Sequence, residues 1–330
     1  MNNNSKNAPK IVCIGGGTGL STMLRGLKLY SPNITAIVAV TDDGGGSGVL
    51  RSELSMPAPG DIRNCLLALS NAEPTLEKLF NYRFSSGSLT GQSFGNLFIA
   101  AMNGISSSFD EAVSKSAEVL DITGRVLPVT NENVWLKAHF SDDSWVFGES
   151  NIYYAKMSKG CRITNVSLSP KHPAALYPSG RAIEEADIIV FGPGSLYTSI
   201  IPNLMVDGIT DAICRCNGLK IYVCNLMTQQ GETEDYTVSD HVAALFLHAG
   251  CSIFDTCIVN SGHPPEDILE KYRLEGAKEV VCDTDALKKL GVRAVSAPIA
   301  SANVQYRHNP SALADTIFHL YLDRKHKKRR

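Results

Sequence analysis

No apolar run in the 330 residues approaches the roughly 18–20 residues of a membrane-spanning helix, so the sequence predicts no membrane span. The residues before Ile11 contain no apolar segment of the kind that a secretion signal needs, and we therefore expect a cytoplasmic protein. The nine cysteines form no C-x-x-C pair, and the eight histidines form no H-x-x-H or H-E-x-x-H pair. Zinc sites usually depend on such pairs, so we expect reduced thiols and no zinc.

Charge shows no large excess of either sign, because 31 lysines and arginines face 33 aspartates and glutamates. Six of the basic residues lie within positions 324–330, which leaves the rest of the chain acidic. An acidic body argues against a general nucleic-acid-binding protein. We predict that residues 324–330 form a solvated basic tail, with contact to RNA or anionic lipid as the alternative. Residues 1–9 are predicted to be disordered.

Short apolar runs alternate with helical periods along most of the chain, which predicts a mostly parallel sheet of the α/β class. Asp61 is predicted to cap one helix, and Asn309, followed by proline, to cap the last. Between residues 124 and 168 apolar and polar residues alternate, which predicts an antiparallel insert in a single domain of residues 10–323. The predicted strands of the sheet cover residues 11–14, 34–40, 188–191, 220–224, 254–259, 280–282 and 292–296.

A glycine-rich turn, Gly15-Gly16-Gly17-Thr18-Gly19, follows the first predicted strand and opens a predicted helix. Glycines let the backbone approach an anion, and a helix N-terminus supplies N–H donors, so this turn is typical of a phosphate site. It is neither a clean dinucleotide fingerprint, because Leu20 occupies the place of the third glycine, nor a Walker A loop.

Polar loops follow the next strands as well. Asp42 and Asp43 precede three glycines, and two carboxylates there could hold Mg²⁺ against a phosphate or act as a base. Arg63 is predicted to lie in the first turn of a helix, where the helix dipole disfavours a cation. Its presence there is explained if an anion binds beside it. The stretches 192–199 and 225–233 follow two further predicted strands. Because the carboxyl ends of parallel strands share one edge, these loops are expected to form one site.

Six stretches together resemble the bacterial gluconeogenesis factor family, which lies within the phospholactate transferase superfamily. They are I-G-G-G-T-G at 14–19, T-D-D-G-G-G-S-G at 41–48, P-G-D-I-R-N at 59–64, S-F-G-N-L at 93–97, G-P-G-S-L-Y-T-S at 192–199 and N-L-M-T-Q-Q-G-E-T at 225–233. The resemblance implies a Rossmann-like, doubly wound sheet with an inserted subdomain.

The resemblance also implies a function. The transferase branch uses a nucleoside diphosphate-linked donor with Mg²⁺, whereas the bacterial factors bind UDP sugars such as UDP-N-acetylglucosamine and support cell shape and wall synthesis during gluconeogenic growth. Tyr272 and Arg307 match the tyrosine and arginine that contact the nucleotide sugar in that branch. The residues expected to bind the ligand are Gly15, Gly16, Gly17, Thr18, Gly19, Gly45, Ser47, Asp61, Arg63, Asn64, Asn96, Gly192, Gly194, Ser195, Asn225, Thr228, Gln229, Tyr272 and Arg307.

Several alternatives stay open at the level of sequence. Asp42 and Asp43 would be catalytic only if the protein is a transferase, and Asp42 is then the candidate Mg²⁺ ligand. The position of Asp42 after the second strand also suits a nicotinamide-dependent oxidoreductase. The basic tail leaves an RNA-binding regulator open. The sequence identifies neither a wall-synthesis or regulatory partner protein nor the oligomeric state, a homo-oligomer included.

Overall fold

The computed structural model describes residues 8–302 and 305–328. A seven-stranded sheet, in the order β10-β9-β8-β7-β1-β2-β3, forms the centre, and all its described strand pairs are parallel. A separate three-stranded antiparallel sheet has the order β5-β4-β6. The predicted fold class, a mostly parallel α/β sheet with an antiparallel insert, is therefore confirmed.

The strands are β1 Ile11–Gly15, β2 Ile34–Val38, β3 Arg125–Pro128, β4 Trp135–Phe140, β5 Trp145–Phe147, β6 Ile163–Ser169, β7 Ile188–Phe191, β8 Leu219–Val223, β9 Thr256–Asn260, β10 Arg293–Ala297, β11 Ala300–Ala302 and β12 Tyr306–His308. The α-helices are α1 Gly17–Leu27, α2 Gly45–Leu54, α3 Gly60–Leu69, α4 Pro74–Asn81, α5 Phe94–Gly104, α6 Phe109–Val119, α7 Glu149–Lys159, α8 Tyr177–Glu184, α9 Ile201–Leu204, α10 Ile209–Arg215, α11 Val238–Ala249, α12 Glu266–Leu274, α13 Thr284–Lys289 and α14 Pro310–Lys328. A π-helical turn, Leu196–Ile200, precedes α9.

The order of the strands places a topological switch point between β1 and β7. From β1 the chain winds through β2 to β3, and it returns to β7 before continuing to β10 on the other side. Both β1 and β7 are buried along their whole length, as expected for parallel strands that helices cover on both faces. In open α/β sheets, ligands bind outside the carboxyl ends of the strands at this point.

The predicted insert begins too early in the sequence. Residues Arg125–Pro128 pair in parallel with β2 and belong to the main sheet as β3. The antiparallel part starts at β4, where inward residues alternate with half-buried ones as predicted. It also contains α7, which a purely β-rich interpretation missed.

Two other local predictions are wrong. Residues 280–282 form no strand; Val280 N–H instead donates to Leu226 in the loop after β8, and the Val281 carbonyl accepts from Val238 at the start of α11. Asp61 does not cap α3, because the helix begins at Gly60 and Asp61 lies in its first turn. Asn309 does cap α14, since its side-chain oxygen accepts the N–H of Ala312.

The two chain ends are partly described. Residues 1–7 of the predicted disordered segment and 329–330 of the predicted tail lie outside the described residues. Ala8 and Pro9 are held, since their carbonyls accept hydrogen bonds from Asn33 and Ser31. The last helix continues to Lys328. Within the described ranges, no helix has the length and apolarity to cross a membrane.

Candidate functional site

A cavity of about 350 Å³ opens at the switch point, at the carboxyl ends of β1, β7 and β8. Eleven of the predicted ligand-binding residues line it. They are Gly16, Gly17, Thr18, Gly19, Gly194, Ser195, Asn225, Thr228, Gln229, Tyr272 and Arg307. Of the other lining residues, Pro193, Ser199, Leu226 and Met227 lie in the two loops predicted at 192–199 and 225–233, although they are not among the predicted ligand-binding residues. Sequence reasoning missed Thr22, Tyr306 and His308. We call this cavity the cleft.

One wall of the cleft is the N-terminus of α1. Its N-cap residue, Gly16, has no side chain to cap the helix, and Gly17, whose N–H bonds to Asp61, adopts a left-handed φ of +68°. Unpaired N–H groups at a helix N-terminus, together with the helix dipole, favour an anion. This wall is therefore built as an anion cradle.

The opposite wall is the loop that follows β7, and it lies very close to α1. A Cβ atom on Gly19 would lie 2.4 Å from the carbonyl oxygen of Pro193, which is backbone and cannot swing aside. Gly192 has a φ of +73°, and its N–H donates to the carbonyl of Ile14 on β1. The glycines at 19 and 192 thus let two strand-to-helix turns meet over one site. Gly15 and Gly192, both predicted to bind the ligand, lie against each other and do not line the cleft.

We expect Gly19→Ala to lower the free energy of unfolding by about 1–3 kcal/mol, because the methyl group must push α1 away from the 193–195 loop. Nucleotide binding should fall with it. Gly180→Ala in α8 is the matched control, since a Cβ there meets open space and alanine favours a helix. Thermal unfolding and ligand titration of both variants check this. A Gly19→Ala protein as stable as the wild type would contradict the packing described.

Polar groups of the β8 loop close the third side. Asn225 accepts the N–H of Gly194 at 3.3 Å, and the side-chain amide of Gln229 donates to Ser195 Oγ at 2.9 Å. The carbonyl oxygen Oε1 of the Gln229 side chain is buried and has no hydrogen-bond partner among the described residues. A hydroxyl or amide of the ligand could donate a hydrogen bond to it, because buried polar groups are rarely left unpaired.

The rim is formed by α12 and β12. Tyr272 donates to the carbonyl of Tyr306, whose own hydroxyl donates to Gly262. His308 bonds to the carbonyl of Cys224 at 3.2 Å, and burial lowers the pKa of its imidazole to about 4, so the ring is neutral. Arg307, between these two anchored residues, is exposed and makes no side-chain hydrogen bond or ion pair among the described residues. Its guanidinium is free to meet an anion in the cleft.

A group of carboxyls lies beside the cradle. Burial and the negative charge of Asp42 raise the pKa of Asp61 to about 7, while a hydrogen bond from Gly17 N–H opposes the rise. Burial and the charges of Asp42 and Asp61 raise the pKa of Glu149 well above its ordinary value. Such shifts mark groups whose negative charge is costly until a proton or a cation joins them.

Mg²⁺, which the resemblance implies, fits this arrangement only in part. Asp42 and Asp61 oxygens face the backbone of Gly60 and Gly16, where a Cβ atom would lie within 2.7 Å of them. In the described part of the chain, no three His, Cys, Asp or Glu side chains converge well enough to hold a metal. Mg²⁺ commonly uses one or two carboxylates together with substrate phosphates, and Asp42 and Asp61 suit that pattern.

Asp43 has a different role from its neighbour. Its carboxylate accepts the N–H of Ser150 at 2.7 Å and lies against Gly148, so it holds the N-terminus of α7. It lines a separate surface groove together with Gly45. The structure therefore directs Asp43 and Gly45 away from the cleft.

Four more predicted residues form a network away from the cleft wall. Arg63 donates to Ser93, Asn96 and Asn64, and Asn96 donates to Ser47 at 3.2 Å. The Ser47 hydroxyl lies beside Gly60, as the Asp42 carboxylate does. The network therefore positions the start of α3, which carries Asp61, and none of its four predicted members lines the cleft.

A second chamber of about 710 Å³ adjoins the cleft and shares Ser195, Thr228, Gln229 and Tyr272 with it. Its far wall comes from α7 of the insert, through Glu149 and Lys156. Lys156 and Glu232 form a buried ion pair at 3.4 Å, and Glu232 also accepts the N–H of Tyr197. No periodic pattern in the sequence indicates this pairing, because the two charges lie 76 residues apart.

One more buried charge balances the acids. Arg51 is fully buried, with its guanidinium bonded to Asn133 and to the carbonyls of Thr41 and Val134. Burial lowers the pKa of Arg51 to about 10, against the opposing charges of Asp43, Asp42 and Glu149. The guanidinium thus ties α2 to the segment that leads into the insert and offsets part of the carboxylate charge.

Comparison with known proteins identifies similar chains. Residues 11–300 match the family model of 2-phospho-L-lactate transferase CofD. The gluconeogenesis factor of Bacillus subtilis is 47% identical over 94% of this chain and 98% of its own, and that of Halalkalibacterium halodurans is 46% identical over 93% and 95%. A crystal structure of a UPF0052 family member from Bacillus halodurans superposes with a TM-score of 0.90 at 45% identity, covering 93% of this chain and 98% of that one.

Proposed function

The chain belongs to the 2-phospho-L-lactate transferase CofD family, and from this membership and the geometry of the cleft we propose that it is a nucleotide-sugar-binding regulatory factor. The ligand class is that of UDP-N-acetylglucosamine. The role is that of a factor needed for gluconeogenic growth, cell shape and wall synthesis. Relatives named gluconeogenesis factors, which cover most of the chain, support the gluconeogenic part of this role.

The observation that carries the proposal is the meeting of two glycine turns at the switch point with an unpaired arginine at the rim. A diphosphate is the ligand group that such a place suits, because backbone N–H groups and a guanidinium both favour phosphate oxygens. The diphosphate would lie between Gly16–Gly19 and Gly194–Ser195. Arg307 would pair with it from the rim.

The second chamber suits the sugar. It continues the cleft past Ser195 and Gln229, and it ends at Glu149, Lys156 and Glu232. Carboxyl and amide groups in a half-enclosed cavity are the usual partners of sugar hydroxyls. A nucleoside diphosphate alone would leave this chamber to water, so the arrangement favours a ligand with a further polar group.

A second candidate function is that of a transferase, and the raised pKa of the Asp61 carboxyl is the observation that favours it. A carboxyl whose pKa lies near 7, hydrogen-bonded to the cradle through Gly17, can hold or release a proton near neutral pH. With Mg²⁺ bound, Asp42 and Asp61 would orient the cation, which would supply charge to the leaving diphosphate. The fate of the nucleotide sugar separates the two candidates, because a regulatory factor returns it unchanged.

A comparison of melting temperatures tests the ligand class. We expect UDP-N-acetylglucosamine to raise the melting temperature more than GDP or NAD does, since a ligand at 100 times its dissociation constant adds about 2.7 kcal/mol. A larger rise with GDP would favour the transferase, and one with NAD would favour an oxidoreductase. No shift with any uridine nucleotide at millimolar concentration would contradict the proposal.

A further inference from the structure

Cys214 and Cys251 lie next to each other on the surface although 37 residues separate them in sequence. Their sulfur atoms are 3.2 Å apart. Cys214 is exposed on α10, and Cys251 is half-buried just after the end of α11. The five cysteines Cys13, Cys65, Cys216, Cys224 and Cys257 are buried, as expected of small apolar side chains. The exposed pair therefore needs a separate explanation.

We propose that Cys214 and Cys251 form an oxidisable dithiol that closes to an intramolecular disulfide when the protein meets a hydroperoxide. A disulfide needs sulfurs about 2.05 Å apart, so the two must approach by about 1 Å. Side-chain rotation can supply that distance, because one cysteine is at a helix end and the other is in a bend between α11 and β9. The helices themselves need not move.

The reaction balances without a metal or a further reductant. The Cys214 thiolate attacks a peroxide oxygen and the O–O bond breaks, which gives a sulfenic acid on Cys214 and releases hydroxide; the hydroxide takes up the proton that the Cys214 thiol lost and becomes water. The Cys251 sulfur then attacks the sulfenic sulfur, the S–S bond forms, and the hydroxyl leaves as a second water. Overall two thiols lose two hydrogens and one peroxide becomes two waters.

The two sulfurs have different roles in this sequence. Cys214 is the exposed thiol and the one that an oxidant meets first. Burial and the hydrogen bond to Cys214 raise the pKa of the Cys251 thiol to about 11, so Cys251 is mostly protonated and reacts with the oxidant more slowly than Cys214 does. It loses its proton to the departing hydroxyl only when it attacks the neighbouring sulfenic sulfur. Cys251 is therefore the resolving thiol, and its sulfur is held in contact with that of Cys214.

The pair lies away from the cleft. The end of α10 leads into the start of β8, and the end of α11 leads into the start of β9. These starts form the edge of the parallel sheet opposite to the strand ends that carry the cleft. Oxidation should therefore change stability and leave ligand affinity unchanged, which keeps this inference independent of the proposed function.

Peptide mapping by mass spectrometry tests the inference on the full chain treated with hydrogen peroxide. Cleavage after Arg215 puts Cys214 and Cys216 on different peptides, and a second cleavage after Asp240 and Asp255 separates Cys251 from Cys224 and Cys257, so both linked cysteines can be identified. We expect one Cys214–Cys251 peptide that dithiothreitol resolves into two. Cys214→Ser and Cys251→Ser should each abolish it, whereas Cys282→Ser, which removes another exposed thiol, should retain it.

Two results would overturn the inference. One is oxidation of Cys214 to sulfinic or sulfonic acid while Cys251 remains a free thiol. The other is a Cys214–Cys214 link between two chains in place of the internal bond.

A second readout is the melting temperature. The disulfide closes a loop that contains β8 and α11, so the oxidised protein should melt a few degrees higher than the reduced one. An equal or lower melting temperature would mean that the two sulfurs are not preorganised as described.

Discussion

Arg307→Ala should weaken the binding of UDP-N-acetylglucosamine about 10- to 150-fold. A hydrogen bond to a charged group contributes about 1.5–3 kcal/mol, which corresponds to that range. The loss should be close to this full value because Arg307 has no other side-chain partner in the described part of the chain, so no internal contact is gained or lost with it. Calorimetric titration of the wild type and the variant measures the difference.

Two further variants make the result specific. Arg293→Ala removes another exposed arginine, which lies on β10 outside the cleft, and should leave the affinity unchanged. Arg307→Lys keeps the charge but loses the planar fork that binds two phosphate oxygens at once, so it should lie between the wild type and alanine. Wild-type affinity in Arg307→Ala would remove this residue from the site.

The carboxylates beside the cradle lead to a second large effect. We expect Mg²⁺ to raise nucleotide-sugar affinity on the order of tenfold to a hundredfold, or roughly 1.4–2.8 kcal/mol. Asp42 and Asp61 would hold the cation, whose charge would offset their mutual repulsion and their repulsion of the diphosphate. Asp42→Asn should abolish the dependence on Mg²⁺, because an amide carries no charge to hold the cation. Titration with and without Mg²⁺ measures both proteins.

Asp43→Asn is the matched control for that experiment. It changes the neighbouring carboxylate, which holds the N-terminus of α7 rather than facing Asp61. We expect it to lower the melting temperature and to keep the Mg²⁺ dependence. If Asp42→Asn binds as tightly as the wild type in both conditions, the site works without a metal.

Without Mg²⁺ the affinity should also depend on pH. The pKa of Asp61 is raised to about 7, so its carboxyl is neutral below that pH and negative above it. A negative Asp61 repels the diphosphate, and binding should therefore weaken as the pH rises through about 7. Asp61→Asn should lose this dependence.

The cleft was largely predictable from the sequence because its parts are local. A buried strand followed by glycines marks the carboxyl end of a parallel strand, and Gly16–Gly19 and Gly194–Ser195 both follow that rule. The edge that they share follows from the sheet alone. Such signals need no knowledge of which elements pack together.

The second chamber was not predictable for the opposite reason. Glu149 and Lys156 belong to α7, and only tertiary packing brings them to Glu232. The roles of Asp42 and Asp43 could not be separated either, since adjacent residues in a loop give no sign of which way each side chain points. The apolar run at 280–282 is typical of a strand, yet its backbone bonds to the loop after β8 and to the start of α11 instead of joining the sheet.

The most direct test of the central claim follows the nucleotide sugar through binding. The protein is titrated with UDP-N-acetylglucosamine in a calorimeter in the presence of Mg²⁺. The ligand is then recovered and its mass is measured by mass spectrometry. The account predicts saturable binding at one site and recovery of intact UDP-N-acetylglucosamine. No binding heat would contradict the nucleotide-sugar claim. A new product that Asp42→Asn fails to make would contradict the regulatory role and establish a transferase.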